Sequence, residues 1–356
     1  MASSKQEETA ATAEQFSSMS LGESAERKDN DTEPDAGNGT TPTKKCSACG
    51  GKGSNTLKKC RNCMCVWYCD KKCQNKHWKE HKKECRLIKK VLEERGGKLN
   101  LGTEVDIGPL EKLPQREECP ICMRLLPLNA ELQISSECCG KTLCRACGFQ
   151  HQRKSSELPT CPFCRDPTPK SDEGILVLLR NRAEENDPGA LRNIAMAYGF
   201  GEYGLPVDQA KCIALLRQSA DLGHPGAQFN LGAFHYEGGM GLERNREKGH
   251  QYYKEAAEGG HVVARHYLGF AIAMNANGDG VGVAAMRHWR LAASGGYKKS
   301  MKTLIRCFED GFLYHGDLAE TLQAMYLARA EMKSEDRDKY IAHLKRTGKY
   351  KEEYDA

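Results

Sequence analysis

The chain has 356 residues, of which 39% are hydrophobic and 28% charged, with a formal net charge of +5. No apolar run approaches the roughly 18 residues needed to cross a bilayer, and the first thirty residues lack the apolar centre of a signal peptide. A membrane role is therefore not expected, and the cytoplasm or nucleus is. In such a reducing compartment the 18 cysteines are not a disulfide framework, and their clustering between positions 46 and 164, mostly as CxxC pairs, points to metal.

Charge is unevenly spread. Residues 1 to 35 carry 9 acidic and 3 basic side chains, whereas residues 44 to 98 carry 17 basic and 5 acidic ones. A basic segment can hold nucleic acid. Two zinc ions with seven thiolates, however, carry a net charge of about −3 that nearby lysines offset, so nucleic acid is not the expected partner.

Residues 1–44 are rich in Ser, Thr, Glu, Asp, Gly and Pro and nearly free of aromatics, which predicts a disordered tail. The first cysteine block offers Cys46-x2-Cys49, Cys60-x2-Cys63, Cys69-x3-Cys73 and His81-x3-Cys85. Eight ligands fit two tetrahedral sites, and His81 and Cys85, at i and i+4 of a helix, share a face. Forty residues cannot hold a fold by burial alone, and a structural zinc contributes on the order of 10 kcal/mol. Cys65 and His77 are left over, His77 being a rival to His81. Beyond the block, Leu87, Ile88, Val91 and Leu92 recur at helical spacing until Gly96 and Gly97.

The stretch "CSACGGKGSNTLKKCRNCMCVWYCDKKCQNKHWKEHKKEC" resembles a MYND finger over its whole length. The resemblance implies an interleaved arrangement, with Cys46, Cys49, Cys69 and Cys73 on one zinc and Cys60, Cys63, His81 and Cys85 on the other. It also implies a surface including Gln74 and Trp78 that binds proline-rich peptides of partner proteins. Trp78 can equally cover the zinc cluster as a small core, or do both. The finger is assigned to residues 45–90, followed by a linker over 91–117.

The second block pairs Cys119-x2-Cys122, Cys144-x2-Cys147 and Cys161-x2-Cys164, with Cys138 and Cys139 adjacent between the first two pairs. It resembles a RING finger over 118–166. Where that family usually has histidine this chain has Lys141, whose ammonium has no lone pair for zinc. The all-cysteine form of the family implies Cys119, Cys122, Cys144 and Cys147 on one ion and Cys138, Cys139, Cys161 and Cys164 on the other. Adjacent ligands strain a tetrahedral site, and His151 is the alternative to one of them. Four zinc ions are expected in all. The resemblance further implies that Ile121 and Pro162 contact a ubiquitin-conjugating enzyme and that Arg165 bridges it to ubiquitin, while His151 stands where many active members have tryptophan.

Residues 172–335 repeat with a period of 37 and then 36: Ala220, Ala257 and Ala293, then Gly223, Gly260 and Gly296. Such a helix, glycine turn, helix period predicts an α-solenoid, and "NLGAFHYEGGMGLERNREKGHQYYKEAAEGGH" resembles the SEL-like branch of tetratricopeptide-like repeats. The likeness runs from about 187 to 333 in four units, the third departing at "NANGDGVG" and the fourth acting as a cap. His224 and His261 recur at the turns and read as packing residues; Cys212 and Cys307 read as buried thiols. Residues 336–356 are a charged C-terminal tail. The fold class is thus multidomain, two zinc-stabilised fingers (MYND and RING-like) plus an all-α repeat solenoid.

Two functions follow. One is a RING-type ubiquitin ligase, catalysing by positioning with no nucleophile of its own, whose MYND finger and repeats recruit substrate. The other is a non-catalytic adaptor or scaffold, for example of corepressor type, in which all three modules bind proteins. A MYND-linked lysine methyltransferase lacks support, since the sequence has no glycine-rich cofactor segment.

Overall fold

A computed structural model describes residues 45–51, 57–114, 116–154, 160–275 and 282–351. The tail expected over 1–44 and most of "NANGDGVG" lie outside the described residues.

Alternating apolar and small residues build the repeats as helix pairs: α4 (Pro188–Phe200) with α5 (Gln209–Asp221), α6 (Pro225–Glu237) with α7 (Arg246–Glu258), α8 (Val262–Asn275) with α9 (Val283–Ser294), and α10 (Lys298–Glu309) with α11 (His315–Glu331). An additional helix, α3 (Asp172–Glu184), precedes them. The periodic alanines are the inter-helix contact points, Ala220, Ala257 and Ala293 all being buried. The periodic glycines have φ of 82°, 86° and 101° at Gly223, Gly260 and Gly296. This left-handed conformation lets the next residue's N–H bond back five residues, as His224 N does to Ser219 O and His261 N to Ala256 O.

The histidines after these glycines do more than pack. His224 Nδ1 accepts from the backbone N–H groups of Gly226 (3.1 Å) and Ala227 (3.2 Å), and His261 Nδ1 accepts from Ala264 (3.0 Å). They cap the N-termini of α6 and α8, as Asp187 caps α4 by accepting from Ala190 N at 2.8 Å.

The first cysteine block folds as a hairpin, β1 (Lys58–Lys59) with β2 (Trp67–Tyr68), leading into α1 (Lys71–Glu94). The zinc-ligand spacing and the later apolar run belong to this one 24-residue helix. His77, His81, Cys85, Ile88, Val91 and Leu92 form its buried face, whereas Leu87 is exposed. The second block has two short hairpins, β3 (Glu118–Cys119) with β4 (Arg124–Leu125) and β5 (Gln133–Ser135) with β6 (Thr142–Cys144), then α2 (Arg145–Lys154).

The modules do not sit on a string. Ile88, Val91 and Leu92 share one core with Met301, Leu304, Phe308, Leu318, Leu322 and Met325 of α10 and α11. Each such side chain contributes about 1.5–3 kcal/mol of burial. Residues expected as a linker run against the repeats as a strap: Val105 N bonds Phe312 O (3.0 Å), and Arg287 and Arg290 donate to the carbonyls of Ile107 (2.9 Å) and Gly108 (2.6 Å). Arg116 continues it, donating to Gly295 O at 3.0 Å and Leu126 O at 2.7 Å.

The expected C-terminal tail begins with a helix, α12 (Glu335–Arg346), because Ser334 caps it and acidic residues fill its first turn and basic ones its last. It docks on α2, where Phe149 meets the rings of Tyr340 (5.3 Å) and His343 (4.8 Å). Its Arg337 donates to Leu125 O at 2.7 Å, to Met332 O, and to Cys122 Sγ at 3.5 Å. At the other end of the repeats, Arg182 of α3 donates to the carbonyls of Ser136 (3.2 Å) and Glu137 (3.1 Å). The RING-like block therefore touches the two helices that flank the array, α3 before it and α12 after it.

Candidate metal centres

Four groups of donor atoms converge among the described residues: Cys46, Cys49, Cys69 and Cys73; Cys60, Cys63, His81 and Cys85; Cys119, Cys122, Cys144 and Cys147; Cys138, Cys139, Cys161 and Cys164. Within each, all ligand atoms lie within 4.8 Å of one another. A tetrahedral zinc with Zn–S bonds of about 2.3 Å spaces its sulfurs about 3.8 Å apart. Sγ to Sγ distances of 3.7 Å for Cys49–Cys69, Cys60–Cys85 and Cys139–Cys161 match that spacing, and Cys63 Sγ to His81 Nε2 is 3.4 Å. A disulfide would bring sulfurs to about 2.05 Å. Sulfur and nitrogen donors in fours suit zinc, which is the cofactor of this protein.

Backbone turns prepare the thiolates. After four of the CxxC pairs stands a residue with positive φ, namely Gly50 (68°), Met64 (55°), Met123 (52°) and Arg165 (65°). Its N–H bonds the first cysteine's carbonyl: Gly50 to Cys46 at 2.9 Å, Met64 to Cys60 at 2.9 Å, Met123 to Cys119 at 2.8 Å and Arg165 to Cys161 at 3.1 Å. The turn aims other N–H groups at sulfur. Burial alone would raise these thiols, yet backbone donors hold Cys46 and Cys119 at about 7 and Cys161 at about 6.

His81 of α1 turns Nε2 toward Cys63 and Nδ1 toward the hydroxyl of Tyr326, 3.2 Å away on α11. Tyr326 in turn donates to Glu84 Oε2 at 3.2 Å. His77 stands outside the group, its Nδ1 3.0 Å from Tyr68 OH. Cys65 is also outside it, fully buried, with Sγ 3.3 Å from His315 Nε2.

In the second block the crowded pair has a backbone explanation. Gly140 N bonds Ser136 O at 2.8 Å, so residues 136 to 140 make the same turn as the CxxC knuckles, with Ser136 in the first cysteine's place. Cys139 holds the usual last position and Cys138 fills in beside it, which brings Cys138 Sγ to 3.2 Å from Cys164 Sγ. Gly140 has φ of 74°, and a Cβ there would overlap the Arg182 guanidinium. Lys141 lies over the ring of Phe163 at 5.3 Å. His151 does not join the group; its Nε2 bonds the carbonyl of Thr160 at 2.9 Å.

The surface positions are distributed over both fingers. Gln74 is half-buried and Trp78, 36% exposed, stands edge-on to His81 with centroids 6.3 Å apart. On the second block Ile121 is 43% and Met123 69% exposed, Arg165 is exposed, and Pro162 is half-buried. Met123 carries no signal in the sequence beyond following a CxxC pair.

These features define a zinc-finger protein built against a helical repeat array. Comparison with known families makes the parts specific: residues 45–85 match the MYND finger, and residues 188–224, 225–261 and 262–297 match the Sel1 repeat. The chain contains a MYND finger, a Sel1 solenoid, and between them cysteine clusters consistent with a RING-like finger.

The histone-lysine N-methyltransferase ASHR1 of Arabidopsis thaliana is 38% identical over 58 residues, 16% of this chain and 12% of that protein. A SET and MYND domain-containing protein of Dictyostelium discoideum is 50% identical over 36 residues, 10% of this chain and 7% of its own. The chain thus spans only a small part of the length of these relatives. Among solved structures, a Sel1 repeat protein from Oxalobacter formigenes is similar at 29% identity and a TM-score of 0.34, covering 36% of this chain and 96% of that one. The antigen c5321 of uropathogenic Escherichia coli, with an SLR fold, is similar at 20% identity and a TM-score of 0.38, covering 57% and 40%. No described helix is long and apolar enough to cross a membrane. MYND fingers and Sel1 repeats are protein-interaction modules, and this chain is a zinc-binding interaction protein.

Proposed function

We propose that the chain is an adaptor whose RING-like finger recruits a ubiquitin-conjugating enzyme, acting as a RING-type ubiquitin ligase with the MYND finger and repeats supplying substrate. The observation that carries this is the pair of exposed apolar side chains Ile121 and Met123 on the first knuckle. Exposed neighbouring apolar residues on a rigid metal-held turn are what a partner's loops need. Arg165, on the second knuckle, offers a guanidinium that can bridge two partners. The four donor groups are assigned to four zinc ions with the ligands given above, and Gln74 with Trp78 to a proline-rich peptide. The test is ubiquitin transfer across a broad panel of conjugating enzymes. Ile121→Ala should weaken enzyme binding, and Arg165→Ala should slow transfer with binding and zinc content retained. Wild-type protein that neither binds nor transfers would reject the ligase.

A second reading, the non-catalytic adaptor, is favoured by α2. Its Phe149 is covered by α12, and His151, in place of an apolar contact, is tied to Thr160.

A further inference from the structure

We infer that the outward face of α1 binds the phosphate backbone of nucleic acid. Lys72, Lys76, Lys79, Lys83, Arg86 and Lys90 succeed one another at intervals of three and four residues, and every one is exposed. At about 1.5 Å per residue they form a single stripe about 27 Å long. Lys71, Lys82 and Lys89, also exposed, flank it.

The helix's acidic residues do not neutralise this stripe. Glu80 pairs with Lys333 of the repeats and Glu84 accepts from Tyr326, both turned toward the packed side. Glu93 and Glu94 pair with Lys89 (3.1 Å) and Lys90 (3.4 Å) at the C-terminal end. Among the described residues Lys72, Lys76, Lys79, Lys83 and Arg86 have no ion-pair partner. Arg61 extends the patch, bordering one open depression with Lys89.

Offsetting the thiolate charge does not explain the placement. Of the three ligand candidates on α1, His81 and Cys85 lie on its buried face, opposite the stripe and about a helix diameter away; Cys73, half-buried in the first turn, stands near Lys72 and Lys76 alone, so that Lys79, Lys83, Arg86 and Lys90 lie away from the helix's thiolates. Lysines serving the metal sites would stand beside them.

The chemistry favours nucleic acid over an acidic protein or a membrane. Protein interfaces centre on apolar and aromatic anchors and are depleted in lysine, whereas the six stripe residues are all cationic and the exposed Leu87 at their edge is a single apolar side chain, not an anchor cluster. Membrane-surface helices insert an apolar face, and that face of α1 is spent on the repeat core. A periodic row of flexible point charges suits a regular row of phosphates, where affinity comes from counterion release. This inference stands apart from the ligase reading.

The test is fluorescence anisotropy with the zinc-loaded full chain and a labelled 20-base-pair duplex and 20-mer single strand, over a salt series. Lys76→Gln/Lys79→Gln/Lys83→Gln should keep the melting temperature, weaken duplex binding at least ~10-fold and lower the salt slope by about 2.7, or 0.9 per lost contact. Lys170→Gln/Lys248→Gln/Lys254→Gln removes equal charge from exposed positions elsewhere and should change affinity less than about twofold. The inference is overturned by absence of binding at ~50 mM salt, or by equal losses in the two triple variants. It is also overturned if stripe-dependent binding is tighter to a polyglutamate peptide or to phosphatidylserine vesicles.

Discussion

The hydroxyl of Tyr326 lies 3.2 Å from Nδ1 of His81, so a residue of the last repeat pair fixes the ring of a candidate zinc ligand 245 positions earlier. With Nδ1–H engaged by Tyr326, Nε2 is left with its lone pair toward Cys63. Groups that orient a ligand histidine this way typically govern metal affinity 10–100-fold. Tyr326→Phe keeps the ring in its buried site and removes only the hydroxyl. It should speed zinc loss to a chelator by about that factor and cost about 1–3 kcal/mol of stability, since His81 Nδ1 loses its buried partner. A variant with unchanged zinc release would show that the contact is packing alone.

The shared core couples metal to the repeats. Removing zinc loosens α1, and with it the cover over Leu304, Phe308, Leu322 and Met325. Hydrogen exchange should therefore show α10 and α11 losing protection on chelation while α4 and α6, whose core is formed by Leu179, Ile194, Leu216 and Leu231, keep theirs. Uniform loss through the whole array, or none, would contradict the division.

What the sequence made legible were the features with a short period. CxxC spacing picked out the donor pairs because a knuckle is five residues long, while their grouping in fours came only from the MYND and RING resemblances, and the 37-residue repeat placed its turns at Gly223, Gly260 and Gly296. The strap was not legible. Its contacts are backbone carbonyls of Ile107 and Gly108 taken by Arg287 and Arg290, some 180 positions away, and carbonyls leave no trace in side-chain patterns. The helix α12 was hidden by its charge, since its docking rests on Arg337 and a few rings rather than an apolar stripe. The capping role of His224 was visible only as recurrence, because histidine is not among the preferred N-caps.

Zinc stoichiometry separates the adjacent cysteines from His151. Cys139→Ser removes the knuckle ligand and should reduce metal content by one ion per chain, whereas His151→Ala should leave it unchanged and break only the bond to Thr160 O. Elemental analysis of the purified variants reads this directly. Loss of an ion in His151→Ala would move the ligand assignment to histidine.

Arg337 reports on the docking of α12. Its guanidinium is buried and satisfies Leu125 O and Met332 O while facing Cys122 Sγ. Arg337→Ala leaves buried acceptors unpaired, so a destabilisation of about 1–3 kcal/mol is expected, confined to the RING-like block and α12. Limited proteolysis should then cut at 333–346 before the repeats open. Cleavage first within α4 to α8 would argue that α12 is not held by that contact.

The capping histidines make the array acid-sensitive. Burial, with the nearby Arg192 guanidinium adding to it, depresses His224 and His261 to about 4. Each accepts backbone N–H at Nδ1, a role that protonation abolishes. Because the folded values lie below the unfolded one near 6.5, their contribution is complete above pH 6.5 and is lost as pH falls through 4. Asparagine is a strong N-cap without a titrating ring. His224→Asn/His261→Asn should therefore match wild type in melting temperature at pH 7 to within a few degrees, yet lose less between pH 6.5 and 4. Zinc release in acid affects both proteins alike, so the difference between them isolates the caps. Parallel melting curves across that range would mean that the two rings are held by packing, with Phe229 against His261 at 4.7 Å the contact to examine next.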